Sequence, residues 1–124
     1  MKLEFFKKQE SIKMMFSLNS KGTLSANGDL TEWLKKKQIE EIALARDTEN
    51  PALIEKGIFF CLYGDKLPEN SDLNHKLITI NIKYLGIRNL DMYKWNNYNE
   101  EEDGSIKFEV IDVEEGILKL VKIS

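Results

Sequence analysis

The chain is poor in the residues on which many kinds of chemistry depend. Its 124 residues include one cysteine, one histidine, two prolines and two arginines. A single cysteine excludes an intramolecular disulfide, and one cysteine with one histidine cannot supply the four ligands of a usual zinc site. Cys61 lies in the apolar run IFFCLY, which predicts a small buried residue rather than a reactive thiol. His75, in DLNHKL, is predicted to be a surface loop residue.

Long apolar runs are missing as well. No window approaches the roughly 18 apolar residues that a membrane-spanning helix needs. The opening residues, MKLEFFKKQESIKMMF, are interrupted by charges every few positions, which is not the pattern of a signal peptide. The sequence therefore predicts a cytoplasmic protein that does not associate with membranes.

Motifs that would indicate an enzyme are also missing. The sequence contains no GxSxG, P-loop, GxGxxG or HExxH pattern. Asp65, which follows the apolar run around Cys61, is the acid to consider first for acid–base chemistry, although an ordinary turn residue is the simpler interpretation. The acidic stretch NEEEDGS lacks the alternating spacing of a calcium-binding loop. We therefore expect a non-catalytic protein with no cofactor and no metal.

The composition is that of one globular domain covering residues 1–124. Hydrophobic residues make up 42% of the chain and charged residues 31%, which is too apolar for a disordered protein. No repeat, low-complexity tract or linker suggests a domain boundary.

Alternating apolar residues predict strands in the first part of the chain. Ile12 to Leu18 alternate with a period of two, which indicates a half-buried strand. Leu3 and Phe5 suggest a strand before it. The turn NSKG would return the chain into a short strand at residues 23–26.

Two short helices are predicted next. Asn27 or Asp29 can cap a helix that ends near Lys37, with Leu30, Trp33 and Leu34 on one face. Residues 40–46 then indicate a strand, with a second helix as the alternative. Asn50-Pro51 begins a short helix that Gly57 ends.

Three further strand regions complete the pattern. Residues 58–63 form an apolar run typical of a central strand, followed by a loop at residues 64–74. Residues 77–85 alternate well and predict one strand. Residues 106–110 and 117–123 predict a hairpin whose turn contains Gly116.

These elements define the expected fold class. Strands with little helix between them predict an α+β domain built mainly on an antiparallel sheet of about 6–7 strands. One or two short helices would pack on one face of that sheet, and the other face would be exposed to solvent.

Charge is distributed unevenly along the chain. Residues 1–37 have eight lysines and four acids, whereas residues 91–116 have two lysines and nine acids. The net charge of the whole chain is -3. The best candidates for a nucleic-acid contact are Lys35, Lys36 and Lys37 together with Lys7 and Lys8. The position of the first three at a helix end is explained more simply by the helix dipole. A basic protein is therefore a better candidate partner than a nucleic acid.

The segment MYKWNNYNEEEDG combines aromatic residues with a run of acids. Its candidate partner-binding residues are Tyr93, Trp95, Tyr98, Glu100, Glu101, Glu102 and Asp103. Tyrosine and tryptophan are enriched in binding hot spots, and an acidic surface steers a basic partner. The alternative is an ordinary strand that leads into a solvated turn.

We therefore expect a protein-binding inhibitor of the bacterial immunity type, which would neutralise a basic toxin or effector such as a nuclease. In character the chain resembles the small, acidic, single-domain immunity proteins, although no motif identifies such a family. One alternative is a structural or regulatory subunit that self-associates through a sheet edge. Another is a small-ligand domain, which a buried cluster of carboxylates near Tyr63, Asp65 and His75 would favour.

Overall fold

The structure, a computed structural model, describes residues 1–6, 12–92 and 105–123. In chain order the strands are β1 (Met15–Leu18), β2 (Leu24–Ala26), β3 (Glu41–Ala45), β4 (Ile58–Leu62), β5 (His75–Lys76), β6 (Ile78–Ile80), β7 (Tyr84–Ile87), β8 (Ile106–Glu114) and β9 (Ile117–Ile123). The α-helices are α1 (Gly28–Lys36) and α2 (Pro51–Glu55). Two single 3-10 turns, Gly64–Lys66 and Ser71–Leu73, lie in the segment predicted as a loop.

All nine strands belong to one antiparallel sheet with the order β5-β3-β4-β9-β8-β1-β2-β7-β6. The two outermost strands, β5 and β6, are separated in the chain by Leu77 alone. Because one residue joins the two edges, the sheet must curl until those edges meet. The result is a near-barrel rather than an open sheet.

The mainly antiparallel sheet with two helices confirms the coarse fold class, but the expected count of 6–7 strands is wrong. The structure has nine strands within its described residues. Curling encloses much of the core inside the sheet, and α1 adds the fully buried Leu30 and Leu34 to it. Helix α1 packs against β1, β2 and β7, and α2 packs against β4.

Residues 77–85 do not form the single strand that their alternation predicts. The chain reverses between β6 and β7, and Ile80 pairs with Tyr84. Asn81 and Ile82 turn the chain with positive φ angles of 52° and 71°. Ile82, predicted on the same face as Ile80, is instead 98% exposed at the tip of this hairpin. The prediction failed because a β-branched residue rarely adopts the left-handed conformation, so Ile82 is not a strong turn signal.

The predicted hairpin of β8 and β9 is confirmed. Its register runs from Lys107 opposite Ile123 to Glu114 opposite Ile117, with a bulge between Asp112 and Glu114. Gly116 has a φ of +92°, a conformation that favours glycine. Strand β8 alternates buried and exposed residues over its first half, as its sequence pattern predicts.

The core lies inside the curled sheet. Its largest fully buried side chains include Phe16, Phe59 and Phe108, from three different strands. The rings of Phe59 and Phe108 meet edge to face with centroids 5.8 Å apart, an arrangement favoured by aromatic quadrupoles. Cys61 is completely buried among these side chains, which confirms its prediction as a small buried residue.

Asn27 caps α1, one of the two residues predicted to do so. Its Oδ1 accepts a hydrogen bond from the Leu30 amide at 2.9 Å and another from the Met15 amide at 3.2 Å. Its Nδ2 donates to the main-chain oxygen of Lys13 at 2.7 Å. The same side chain therefore starts the helix and ties it to the beginning of β1.

Residues 1–6 adopt no regular secondary structure, so the strand predicted around Leu3 and Phe5 is not present there. Within the described residues, no helix is both long and apolar enough to cross a bilayer.

Candidate functional site

The aromatic and acidic residues predicted to bind a partner lie outside the described residues. They are Tyr93, Trp95, Tyr98, Glu100, Glu101, Glu102 and Asp103. The described structure ends just before them at Met92 and resumes at Ser105, so their prediction stays at the level of the sequence.

An acidic groove lies where β3 begins and β4 ends. It has a volume of about 770 Å³ and three walls. The first wall is residues 37–41, which lead from α1 into β3, and the second is residues 63–67, which follow β4. The third wall is the β8–β9 turn at Glu115 and Gly116. The Tyr63 amide connects the second wall to the third by donating a hydrogen bond to the Gly116 oxygen at 2.9 Å.

Carboxylates outnumber lysines around this groove. A smaller hollow of about 330 Å³ adjoins it and shares Lys37, Tyr63 and Glu115 with it. The two hollows together are lined by six acids, Glu40, Glu41, Asp65, Asp112, Glu114 and Glu115. The lysines that line them are Lys37 and Lys66. Six acids against two lysines give the two hollows together, which are called the acidic groove from here on, a formal net charge of -4.

Aromatic packing supports the middle of the acidic groove. Tyr63 is almost fully buried and meets the half-buried ring of Trp33 edge to face, with centroids 5.6 Å apart. The Nζ of Lys37 lies 5.7 Å from the centre of the Trp33 ring, within the range of a cation–π contact. This packing holds the end of α1 against the end of β4, beside the groove.

The acidic groove is not the buried carboxylate cluster that would favour an enzyme or small-ligand site. Asp65 and Tyr63 both line it, but His75 lines a different hollow. The carboxylates of Glu40, Glu41 and Asp65 are exposed to solvent. Over the described ranges of the chain, no group of three or more His, Cys, Asp or Glu side chains is placed to hold a metal ion.

The cysteine thiol is chemically quiet. Burial raises the pKa of Cys61 to about 12, because an ionised thiolate would lose its hydration inside the apolar core. Lys35 and Lys36 occupy the last turn of α1, and Lys37 follows as its C-terminal cap. These positions match the interpretation of the three lysines through the helix dipole.

A second hollow, the apolar groove, lies beside β3. It has a volume of about 410 Å³. Its apolar lining residues are Ala43, Leu44, Ala45, Leu62, Pro68, Leu73, Leu90 and Met92. Its polar lining residues are Asp72, His75, Asn89 and Asp91. Partial burial lowers the pKa of His75, so this imidazole is neutral at pH 7.

Most residues of the acidic groove were not singled out from the sequence. The sequence indicates Asp65 as the first acid to consider. Glu40 and Glu41 are predicted only as part of a strand, not as site residues. The one available signal was the excess of acids in residues 91–116, three of which, Asp112, Glu114 and Glu115, belong to the groove. Bringing distant residues together required the sheet order, which the sequence did not provide.

Comparisons with protein-family models, with curated proteins and with solved structures found no match in any of the three. The function must therefore be inferred from the chain's own surfaces.

Proposed function

We propose that the protein is a non-catalytic inhibitor of the immunity type, which neutralises a cognate basic toxin or effector by covering its functional surface. The observation that supports this proposal is the acidic groove, with six carboxylates and two lysines. A basic partner would place lysine or arginine side chains in this concave surface, and a nuclease with a phosphate-binding face has the required charge.

The exposure of the carboxylates suits this role. Because Glu40, Glu41 and Asp65 remain hydrated in the free protein, they can accept charge-assisted hydrogen bonds from an arriving guanidinium or ammonium group. Long-range attraction would also accelerate the encounter, and salt would weaken it. Inhibition by occlusion requires no catalytic residue on this chain.

The predicted patch that begins at Tyr93 would add aromatic anchors to the same interaction. Its four acids, residues 100–103, belong to the acid-rich part of the sequence that also supplies Glu115 to the acidic groove. In this proposal the patch contributes contact area and the groove contributes charge.

The first experiment is a pull-down from a lysate of the source cell at low and high salt, followed by an activity assay on the captured partner. We expect a stoichiometric basic protein that dissociates as salt rises and whose activity this chain inhibits. Failure to capture a basic partner, or capture without inhibition, would contradict the proposal.

A charge-matched pair of double variants tests the acidic groove itself. Glu40→Gln with Glu115→Gln removes two groove charges, whereas Glu49→Gln with Glu55→Gln removes two exposed charges beside α2, at the opposite end of β4. Both pairs change the net charge equally. Only the groove pair should slow association at low salt, by about tenfold if those charges steer the encounter.

Trp95→Ala tests the predicted patch separately. A hot-spot aromatic costs about 2 kcal/mol or more when truncated, so the complex should weaken by at least that amount. Ile82→Ala, which removes an exposed apolar side chain elsewhere, is the control. If neither Trp95→Ala nor the groove pair changes binding, neither surface contributes to the contact with the partner.

A further inference from the structure

The outward surface of the β8–β9 hairpin carries large apolar side chains. Ile111 is 41% exposed and Ile123 is 38% exposed, and Val121 is partly exposed beside them. Within the described ranges of the chain, α1 packs on β1, β2 and β7 and α2 packs on β4, so the main contacts of both helices lie elsewhere. Apolar groups that remain exposed together on one surface are typical of a contact with another protein.

Four outward residues form a rectangle at the centre of this surface. They are Glu109 and Ile111 on β8 and Lys119 and Val121 on β9. They alternate with core residues of the same two strands, so their side chains point away from the core. Glu109 lies opposite Val121, and Ile111 lies opposite Lys119. The two charged residues therefore occupy one diagonal of the rectangle, and the two apolar residues occupy the other.

This arrangement is complementary to itself. Two copies related by a twofold axis bring the same surface to both sides of the contact. If the axis runs along the diagonal from Ile111 to Val121, each of these residues meets its counterpart in the second copy. The same rotation brings Glu109 of each copy towards Lys119 of the other. The rectangle measures about 4.8 Å by 6.8 Å, so it is close enough to square for the long lysine side chain to span the difference.

We propose that two copies of the chain associate through this surface, with the twofold axis along the Ile111–Val121 diagonal. Apolar contacts then lie on the axis, and two pairs of opposite charges lie on either side of it. Opposite charges placed in this way fix the orientation of the two copies more than they add affinity.

Mixed charge favours a second copy over the basic partner proposed above. The outward charges of the hairpin near the rectangle are Lys107, Glu109 and Lys119. A basic protein would meet two lysines and one acid here, which is unfavourable. A second copy instead supplies an acid for Lys119 and a lysine for Glu109. The hairpin surface and the acidic groove therefore suit different occupants.

The size of the surface predicts a weak dimer. The outside of a curled sheet is convex, so the contact is centred on β8 and β9 and extends to one strand on each side. Four strands over the seven paired positions of the hairpin cover roughly 450 Å². A standard interface buries about 800 Å² per copy. We therefore expect a dissociation constant between about 1 µM and about 1 mM.

The test is sedimentation equilibrium of the full chain alone at low salt, across that concentration range. We expect association that increases with concentration. Glu109→Lys should weaken it about tenfold or more, because the new lysine meets Lys119 of the second copy. Lys119→Glu should weaken it similarly, because two acids then meet. The control Glu32→Lys makes the same charge change at an exposed position of α1 and should associate like the unaltered protein.

Mixing the two single variants is the sharper measurement. In a mixed dimer the Glu109→Lys copy presents two lysines to the two acids of the Lys119→Glu copy, so both contacts again join opposite charges. The mixture should therefore associate more tightly than either variant alone. The double variant Glu109→Lys, Lys119→Glu should also associate, because exchanging the two charges preserves the complementarity. Circular dichroism would verify that each variant is folded.

A chain that remains monomeric throughout this range would overturn the proposal. So would association that neither single variant weakens, or a mixture that associates no better than its components. If the chain is monomeric and Ile111→Asp instead weakens binding of a captured basic protein, the surface belongs to that partner and the proposal is also overturned. Because the sedimentation experiment contains no partner protein, its outcome is independent of the proposed inhibitor function.

Discussion

The acidic groove and the apolar groove are lined by consecutive residues of the chain, yet they suit opposite kinds of contact. Tyr63 lines the acidic groove and Leu62, immediately before it, lines the apolar groove. Successive residues of an extended chain point to opposite sides, so one strand end can serve both surfaces. Position along the strand separates them in β3, where Glu41 lines the first groove and Ala43 the second.

The difference between the grooves predicts different responses to salt. A contact dominated by six carboxylates should weaken as ionic strength rises, because salt screens exposed charges. A contact dominated by eight apolar side chains should persist, because burial of apolar surface is not screened. A contact at the acidic groove can therefore be distinguished from a contact at the apolar groove by its response to salt.

The largest expected effect on stability comes from a core residue, because its loss would destabilise the whole fold and with it both grooves. Phe108 is fully buried and packs edge to face on Phe59 between the two ends of the sheet. Phe108→Ala should lower the free energy of unfolding by about 3–5 kcal/mol, because it removes a large apolar side chain and leaves a cavity. Urea denaturation would measure this loss. Both grooves should be lost in the same unfolding transition.

Ile111→Ala is the matched control for Phe108→Ala. Ile111 is on the same strand but faces solvent, so its truncation should change the free energy of unfolding by about 0.5 kcal/mol or less. Similar losses for the two variants would contradict the assignment of the core to the inside of the curled sheet.

Two glycines allow the grooves to be disturbed one at a time. Gly22 has a φ of +80°, and an added Cβ would collide with the main-chain oxygen of Leu90, which borders the apolar groove. Gly22→Ala should therefore cost about 2–3 kcal/mol, from backbone strain and from a collision that cannot be relieved easily. The apolar groove should be distorted in this variant, while the acidic groove should remain intact.

Gly116→Ala should disturb the acidic groove by a smaller amount. Its φ of +92° is equally unfavourable for alanine, but the added Cβ would meet mainly the flexible side chain of Lys66. A loss of about 1–2 kcal/mol is expected from strain alone. Gly64→Ala, at φ +60° with open space around it, isolates the conformational cost in the same groove. If Gly22→Ala and Gly64→Ala lowered the free energy of unfolding equally, the collision with Leu90 would contribute nothing to the cost.

The contrast between the two hairpins explains how far the sequence could predict the fold. In the β8–β9 hairpin, alternation and a turn glycine agreed, so its strands and Gly116 were identified correctly. In the β6–β7 hairpin, alternation continued through the turn, and Ile82 adopted a conformation that its residue type disfavours. Local patterns therefore detect a reversal of the chain only when a turn residue signals it.

The same limit applies to the candidate sites. Asp65 attracted attention because it follows an apolar strand, but its neighbours Glu40 and Glu115 come from distant parts of the chain. The apolar groove gave no sequence signal, since its alanines and leucines belong to an ordinary strand pattern. Both grooves depend on the order of the strands and on the one-residue link at Leu77, and neither can be read from periodicity.

The smallest expected effect is a pH dependence confined to the apolar groove. Burial lowers the pKa of His75 from its ordinary value of 6.5, so the folded chain binds this proton less readily than the unfolded chain does. The corresponding stability is fully present above pH 6.5 and is lost as the pH falls from there through the lowered folded-state pKa.

Urea unfolding at pH 7.5 and 5.5 would test this prediction, with His75→Gln as the comparison. We expect the free energy of unfolding to be smaller at the lower pH, and His75→Gln to show a smaller change. Asp47, whose pKa is lowered from 3.8 chiefly by the Asn50 side chain, and Cys61, with its pKa raised to about 12, both titrate outside this window. If His75→Gln retains the full pH dependence of unfolding, the imidazole is not its source. If only partner binding changes with pH, the sensitivity belongs to the acidic groove or to the partner.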